Sequence, residues 1–480
     1  MIRIQEKIET VKRPVKILQF GEGNFLRAFA DWMIDIANEK TNFNGSAVLV
    51  QPLEKGMADM INSQNGLYTT ILRGIQNGQT VSDKRAINSV TECLNPYSDW
   101  EKYMGLSTES SLRFVISNTT EAGIAWADGT AITDKPASSF PAKVTQFLYS
   151  RYRFFNGDTT KGLVFIPCEL IDKNGDHLKE YVLRHAQEWN LEAEFTQWIN
   201  SACSFCNSLV DRIVPGYPAQ EADAIQKELG YEDSLLCAAE IFHLWVIESD
   251  KDFSDELPLA KAGLNVIWTK DMSFYRTRKV RILNGTHTMF VPAAYLMGVE
   301  TVEDSLKDPD ISLFIKKGLF EEIIPSMDGD TKALEEYAGD VLERFANPYI
   351  RHLLISITLN SVSKFKTRDL PSLTSFMEKK GRVPLRLALS MAALIYFYLT
   401  KTEANDDPAI LAEFKTLRQK YPVIGIEEAN AVCTAVLSNT QWWGEDLTKR
   451  KGLCDEVSTL LLSIEKNGIR NTIKDVNKAQ

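Results

Sequence analysis

VKILQFGEGNFLRAFADWMIDIANEK, residues 15–40, decides the fold. VKILQF (15–20) is a short apolar run, typical of a strand buried on both faces of a parallel sheet. Gly21-Glu22-Gly23 follows at once. Beyond it Phe25, Phe29, Trp32, Met33 and Ile36 recur at helical spacing. The stretch reads as strand, tight glycine turn, helix. Further along, SAVLVQPLE (46–54) is a second β-branched run. LRFVISNTTEAG (112–123) and GLVFIPCELIDKNG (162–175) read as strands that end in polar residues, with SSFPAKVTQFLYSRYRFF (138–155) as a helix between them. Strands alternating with helices predict an α/β, doubly wound, Rossmann-like sheet.

After about residue 230 the pattern changes. SLLCAAEIFHLWVIESD (234–250), LFIKKGLFEEIIPSM (313–327), ALEEYAGDVLERFA (333–346) and LALSMAALIYFYLT (387–400) all read as helices, and GLNVIWT (263–269) is the last strand signal. At 480 residues the chain predicts two or three units, at ~100–200 residues each. We expect a Rossmann-like domain over 1–272, with helical insertions after about 178, and a mostly helical domain over 273–480.

Composition narrows the function. The net charge of -10 argues against a nucleic acid or an anionic membrane surface, which both need a basic footprint. The 387–400 run is shorter than the ~20 residues of a membrane span and predicts a buried helix. MIRIQEKIETVKRPVK has no apolar core region, so no secretory signal is expected. Seven cysteines, an odd number, fit reduced thiols in a cytoplasmic protein. Cys203 and Cys206 form one CxxC without a second pair, and five scattered histidines (177, 185, 243, 287, 352) offer no zinc cluster. Two buried thiols on one helix, and no metal, are expected.

The glycine turn has the placement that a dinucleotide fingerprint needs. The first Gly permits the turn, and the second lets backbone approach a pyrophosphate at the helix N-terminus. Leu26 stands where a third Gly would be, so an ordinary strand-to-helix turn explains the motif about as well. Candidate cofactor residues are Phe20, Gly21, Gly23, Asn24 and Phe25 at the turn, and Asn118 and Thr119 at a strand end. Gln51 and Glu54 close the second strand. A carboxylate there suits the ribose hydroxyls of NAD and repels the 2′-phosphate of NADP. A solvated surface Glu is the alternative.

KVRILNGTHTMF (279–290) carries Asn284 and Gly285 inside an apparent helix, although Gly costs a helix about 1 kcal/mol relative to Ala. On an α-helix Lys279, Asn284 and His287 project at roughly 0°, 140° and 80°, one broad face. Arg276, Arg278 and Arg281 surround Lys279 in sequence. Like charges and burial both depress a lysine toward general-base range. An amide and an imidazole one turn apart can donate to one oxygen.

Lys, four residues, Asn, two residues, His is the signature of the polyol-specific long-chain dehydrogenases, or mannitol dehydrogenase family, which this chain resembles over nearly its whole length. GEGNFLRAF, SNTTEAG (117–123), LVDRIVPGYP (209–218), LNGTH (283–287) and NPYI…K (347–364) carry the resemblance. FGEGNFLRAF, SNTTEAGI, PCELIDKNGD and RILNGTH are most similar to the members that act on sugar acids. The resemblance implies metal-independent hydride transfer with NAD, a small-molecule sugar-acid substrate, Lys279 as general acid/base, and Asn284 and His287 holding the substrate oxygen. It also implies substrate contacts from Glu121, Glu169, Asp211, Arg212, Lys364, Lys366 and Arg368. Asp211 and Arg212 read equally as a bracing ion pair. Mannitol dehydrogenases carry Asp-Asn where this chain has Glu169-Leu170, and Arg where it has Ser356. KFKTR (364–368) is either a carboxylate clamp or a solvated strand edge or loop. The rivals are a fructuronate reductase or a mannitol dehydrogenase, with the same machinery and a different pocket, and a non-catalytic NAD-binding regulator. Assembly is expected to be a monomer or small homo-oligomer.

Overall fold

The computed structural model describes residues 1–120 and 122–479. The chain divides into two compact units, Met1–Met272 and Ser273–Gln480. In the first, six strands form one sheet: β1 (Val15–Phe20), β2 (Ser46–Val50), β3 (Val90–Leu94), β4 (Phe114–Ser117), β5 (Val164–Pro167) and β6 (Ser204–Phe205). All pairings are parallel, in the order β3-β2-β1-β4-β5-β6. This is the doubly wound Rossmann arrangement. Alternate residues feed two cores. Ile17, Leu49 and Ile116 pack on one face of the sheet, and Leu18, Val48 and Val115 on the other. Burial on both faces explains why these strands read as apolar runs. The strand order reverses between β1 and β4, so the carboxyl ends of those two strands flank the crevice where such folds bind ligands.

Two expectations are corrected here. Residues 234–250 are not a helix. Cys237–Glu240 pairs in parallel with Tyr68–Gln76, and Leu244–Glu248 lies antiparallel to Asn207–Asp211 and parallel to Val266–Thr269. Short buried strands and buried helices share composition, and periodicity does not separate them. Cys203 and Cys206 are both buried, but Cys203 caps the helix Ala193–Ala202 and Cys206 follows β6, so they do not share a helix. A long hairpin, Tyr68–Gln76 with Gln79–Ile87, was unanticipated. Its turn is Asn77-Gly78, both at positive φ (53° and 72°), which matches the right-handed strand twist.

The second unit is helical. Its centre is the helix Leu385–Thr400, with Leu387, Met391 and Ile395 fully buried. It packs against Thr286–Leu296, the helix that carries His287. Among the described residues no helix is long and apolar enough to cross a membrane.

One buried knot fixes the glycine turn of the first unit. Gln19 Nε2 donates to Gly21 O (3.1 Å) and to Asp31 Oδ2 (3.3 Å), and the Tyr68 hydroxyl donates to the same Asp31 oxygen (3.0 Å). Burial pushes the Asp31 carboxyl up to about 7, against those two hydrogen bonds. In the unfolded chain it titrates near 4. The folded state holds this proton more tightly, so the contribution is full below about pH 4 and is lost as pH rises toward 7. Asp31→Asn keeps the shape and removes the titration. Thermal midpoints of wild type and Asp31→Asn at pH 5 and pH 8 are expected to show the variant gaining on wild type at the higher pH, by up to a few kcal/mol on the order of 1.4 per pKa unit. An equal gap at the two pH values contradicts this account.

Candidate active site

At the turn, Gly21 has φ 113°, and a Cβ there would stand 2.7 Å from the Asn118 carbonyl oxygen. Only glycine fits between β1 and the end of β4. Its N–H donates to Val50 O (3.0 Å). Gly23 is different. It caps the following helix at φ -70°, and a Cβ there would meet nothing within 4 Å. The helix begins as α (Asn24–Leu26), widens to a π turn (Arg27–Asp31) and returns to α (Trp32–Lys40). Asn24 accepts from Arg27 Nη2 (2.6 Å), and the Phe25 ring stacks on Phe29 at 4.9 Å. The Phe20 ring, 1% exposed, packs against Phe140 and Tyr103, which leaves only its backbone at the turn.

The polar residues at the strand ends mostly brace one another. Gln51 is buried. It donates to the carbonyls of Leu53 (2.7 Å) and Glu54 (2.9 Å) and accepts from Ala58 N, so it shapes the loop after β2 rather than facing a ligand. The Glu54 side chain on that loop is exposed. Glu22, which the sequence gives no reason to choose, accepts from Met57 N (3.3 Å) and ties the glycine turn to the same loop. Burial raises its carboxyl above the usual range. Glu169 receives Thr119 N and Thr119 Oγ1 (2.9 Å each) and Ser117 Oγ (3.0 Å). Asn118 Nδ2 donates to Cys168 O (2.9 Å). Glu169 is thus a buried clamp across β4 and β5. Arg212 is likewise buried. It donates to Glu240 O (2.9 Å) and Ala28 O (2.7 Å), and its guanidinium lies 4.2 Å from the Trp32 ring centroid. Asp211 is buried beside it. Both Arg212 contacts are internal to the first unit, as a bracing role requires. Glu121 lies outside the described residues.

In the second unit KVRILNG is a π-helix, Lys279–Gly285, set between the α-helices Ser273–Arg278 and Thr286–Leu296. A π turn holds more residues than an α turn, so positions five apart come nearly onto one face. Lys279 and Asn284 therefore stand closer in azimuth than an α-helix would place them. Lys279, Asn284 and His287 are all half-buried. The neighbouring cations are directed to other partners. Arg278 lies 4.3 Å over the Tyr337 ring, and Arg281 donates to Ser326 Oγ (2.9 Å) and Ser372 Oγ. A Cβ at Gly285 would stand 2.9 Å from Asp369 Oδ1 and 3.5 Å from Arg368 O, so this glycine makes room for the Arg368–Asp369 segment.

KFKTR is neither strand edge nor loop but part of the helix Ser361–Arg368. Helical spacing puts Lys364 and Arg368 on one face and turns Lys366 to the other, where it lies against Gly444. Arg368 Nη1 donates to Thr288 Oγ1 (3.2 Å), next to His287. Lys364 Nζ donates to Ile357 O (2.9 Å). The His287 ring lies 4.1 Å from Phe345 and 5.4 Å from His352, and its Nε2 is buried without a hydrogen-bond partner. Burial, then His352, Arg344, Arg368 and Lys364, hold the His287 imidazole well below its usual range, so it is neutral. His352 was missed by the sequence reading, although it lies inside the NPYI…K stretch. Among the described residues no cluster of His, Cys, Asp and Glu could hold a metal ion.

A family model described as the mannitol dehydrogenase Rossmann domain matches residues 15–261, and one described as the mannitol dehydrogenase C-terminal domain matches 271–465. The chain belongs to the mannitol dehydrogenase family. It is an oxidoreductase of that family. It is 46% identical over 461 residues to an altronate oxidoreductase of Bacillus subtilis (strain 168), covering 96% of this chain and 95% of that one. An altronate oxidoreductase of Bacteroides thetaiotaomicron is 44% identical over 479 residues (98% and 99%), and one of Escherichia coli O6:K15:H31 is 45% identical over 469 residues (96% of each). The fold matches substrate-free D-sorbitol dehydrogenase, with TM-score 0.79, 22% identity and coverage of 98% of this chain and 100% of that one. It also matches the Pseudomonas fluorescens mannitol 2-dehydrogenase ternary complex with NAD and D-mannitol, with TM-score 0.66, 21% identity and coverage of 98% and 95%.

The two glycines of the turn separate fold from ligand. Gly21→Ala forces a side chain into positive φ and against a carbonyl, and is expected to lower the thermal midpoint by several degrees, corresponding to about 1–3 kcal/mol. Gly23→Ala is expected to leave the midpoint within roughly 2 °C. Differential scanning calorimetry of the two variants checks this, and equal losses contradict it.

Proposed function

We propose that the chain interconverts D-altronate and D-tagaturonate with NAD, without a metal ion. The observation that carries this reading is the near-full-length identity of 44–46% to altronate oxidoreductases from separate bacterial groups. The turn fits a dinucleotide. A Cβ at Gly23 would meet nothing within 4 Å, which leaves the backbone there open to a phosphate, and the exposed Glu54 after β2 suits an unphosphorylated ribose. Gly21, Gly23, Asn24 and Phe25 would hold the cofactor with the backbones of Phe20, Asn118 and Thr119. Bound NADH supplies the hydride.

The chain's own residues handle the proton and the oxygen. Lys279 donates a proton to the keto oxygen during reduction and accepts one from the hydroxyl during oxidation. Asn284 donates its amide hydrogen to that oxygen. His287 stays a neutral imidazole, as a donor beside a lysine acid must if it is not to compete for the same proton. Its unpartnered Nε2 supports a role toward the substrate. Lys364 and Arg368 contact the substrate from the helix that ends against Gly285.

NADH absorbance is followed with tagaturonate, fructuronate, fructose and fructose 6-phosphate, each with and without EDTA. Turnover is expected with tagaturonate, unaffected by EDTA. Comparable rates on fructose move the reading to a polyol dehydrogenase, and binding of NADH without turnover of any of the four moves it to a regulator. Lys279→Ala is expected to lower kcat by on the order of 10²–10⁴ with NADH affinity unchanged; a variant of near wild-type rate refutes the assigned proton transfer. Gly23→Val is expected to weaken NADH binding more than tenfold while the protein stays folded.

A further inference from the structure

We propose that His352, Lys364 and Arg368 form the receptor for the carboxylate of the substrate. The proposal rests on the sugar-acid reading and assigns the groups that read the acid.

Donor accounting is the first argument. A guanidinium carries five N–H donors and an ammonium three. Arg151 shows how a buried guanidinium is normally satisfied: it donates to the carbonyls of Lys161, Ser107, Glu109 and Leu112. Arg368 is unlike it. Among the described residues its side chain makes one hydrogen bond, to Thr288 Oγ1, and Lys364 Nζ makes one, to Ile357 O. Most donors of the two cations are therefore uncommitted, on one face of one helix.

Charge is the second argument. His352 is carried to this face from another segment. Its carbonyl accepts from Val302 N (3.0 Å), and Thr301 and Leu353 form a β-bridge beside it. Its ring meets the His287 ring edge-on at 5.4 Å. Burial and then Lys364 hold the His352 imidazole below its usual range, and burial and then Arg368 lower Lys364. The groups that act on His287 besides burial are His352, Arg344, Arg368 and Lys364, all cationic or able to become so. Two acids lie near. Burial drives Asp369 strongly toward its neutral form, and Asp406 already accepts from the Tyr398 hydroxyl (2.5 Å) and Val362 N (3.2 Å). Lys364 and Arg368 thus stand one helical turn apart with donors to spare, and an entering carboxylate supplies acceptors to both. Its two coplanar oxygens match the planar donor fork of Arg368, and the His352 N–H offers a further donor. The hydroxymethyl end of a polyol or ketose offers no charge to offset the same cations.

Wild type, His352→Gln and Arg368→Gln are compared on tagaturonate and on the ketohexose that carries CH2OH in place of the carboxylate; where wild type does not turn over the ketohexose, its competitive inhibition constant is read instead. Each variant is expected to lose at least tenfold in kcat/KM on the acid, chiefly through KM, and to lose severalfold less on the uncharged sugar, so that the preference for the acid falls. The ratio cancels any loss of folded protein. Unchanged preference, or equal losses on both substrates, overturns the proposal. So does a wild-type preference for a ketose phosphate over the acid, since the receptor would then be built for phosphate. Wild type inert toward every sugar acid defeats the functional reading itself, and with it this assignment; active wild type with variants of unaltered preference defeats this assignment alone.

Discussion

The helical unit depends on one close approach. At Gly285 a single methyl group would stand 2.9 Å from Asp369 Oδ1, so the helix Ser361–Arg368 ends in close contact with the π turn and a side chain at residue 285 would displace the Asp369 carboxyl. That contact brings Arg368 to Thr288 and sets Lys364 one helical turn behind it. The Asp369 carboxyl is fully buried, neither of its oxygens has a hydrogen-bond partner, and burial drives it toward the neutral form. Arg368 and Arg281 pull the same carboxyl the other way, so Asp369 and Arg368 act on each other across this contact. The cost of a glycine inside a helix is in this way exchanged for the placement of a cation.

Two of the three π turns among the described residues lie where the sequence carries its motifs, the third being Gly318–Ile323. Arg27–Asp31 follows the glycine turn, and Lys279–Gly285 carries the Lys/Asn half of the second motif. π segments are rare and disrupt the i→i−4 ladder, so they persist where tertiary contacts over-determine them. Both are so determined. Arg27 is locked to Leu235 O (2.6 Å) and Asn24, and Asp31 to Tyr68 and Gln19. The turn at 279–285 is held through Arg281 to Ser326 and Ser372 and by the packing at Gly285.

Much of the first unit was legible because its signals are local. A strand, a GxG turn and an amphipathic helix are each read from a few consecutive residues, and alternation of such pieces implies the doubly wound sheet. The stretch 234–250 was misread because LLCAAE and LWVI are equally at home in a buried strand, and only pairing with Tyr68–Gln76 and Asn207–Asp211, distant in sequence, decides between them. The Asn77-Gly78 hairpin signal was present and went unread. In the second unit the Lys279–Asn284–His287 spacing was visible, but not the π turn that changes its projection. Lys366 was grouped with Lys364 and Arg368 because alternate spacing suits a strand; in a helix the same spacing divides them. His352 was invisible for a different reason. It reaches His287 through the bridge at Thr301–Leu353, and no local pattern encodes that distance.

Polar residues in binding-type positions divide by what they already hold. Glu169, Gln51 and Arg212 stand where a ligand-binding reading of the sequence wants them, yet each makes its hydrogen bonds within the protein: Glu169 to Ser117 and Thr119, Gln51 to the loop after β2, Arg212 to three carbonyls. A buried charge so satisfied is stable without a partner molecule, and removing its partners rather than adding a ligand is what would disturb it. Lys364, Arg368 and the Nε2 of His287 are the opposite case, partly buried groups whose capacity exceeds what their surroundings use. Burial alone therefore does not mark a site in this fold. The surplus of donors over local acceptors is what separates Lys364 and Arg368 from residues whose hydrogen bonds are spent on the protein.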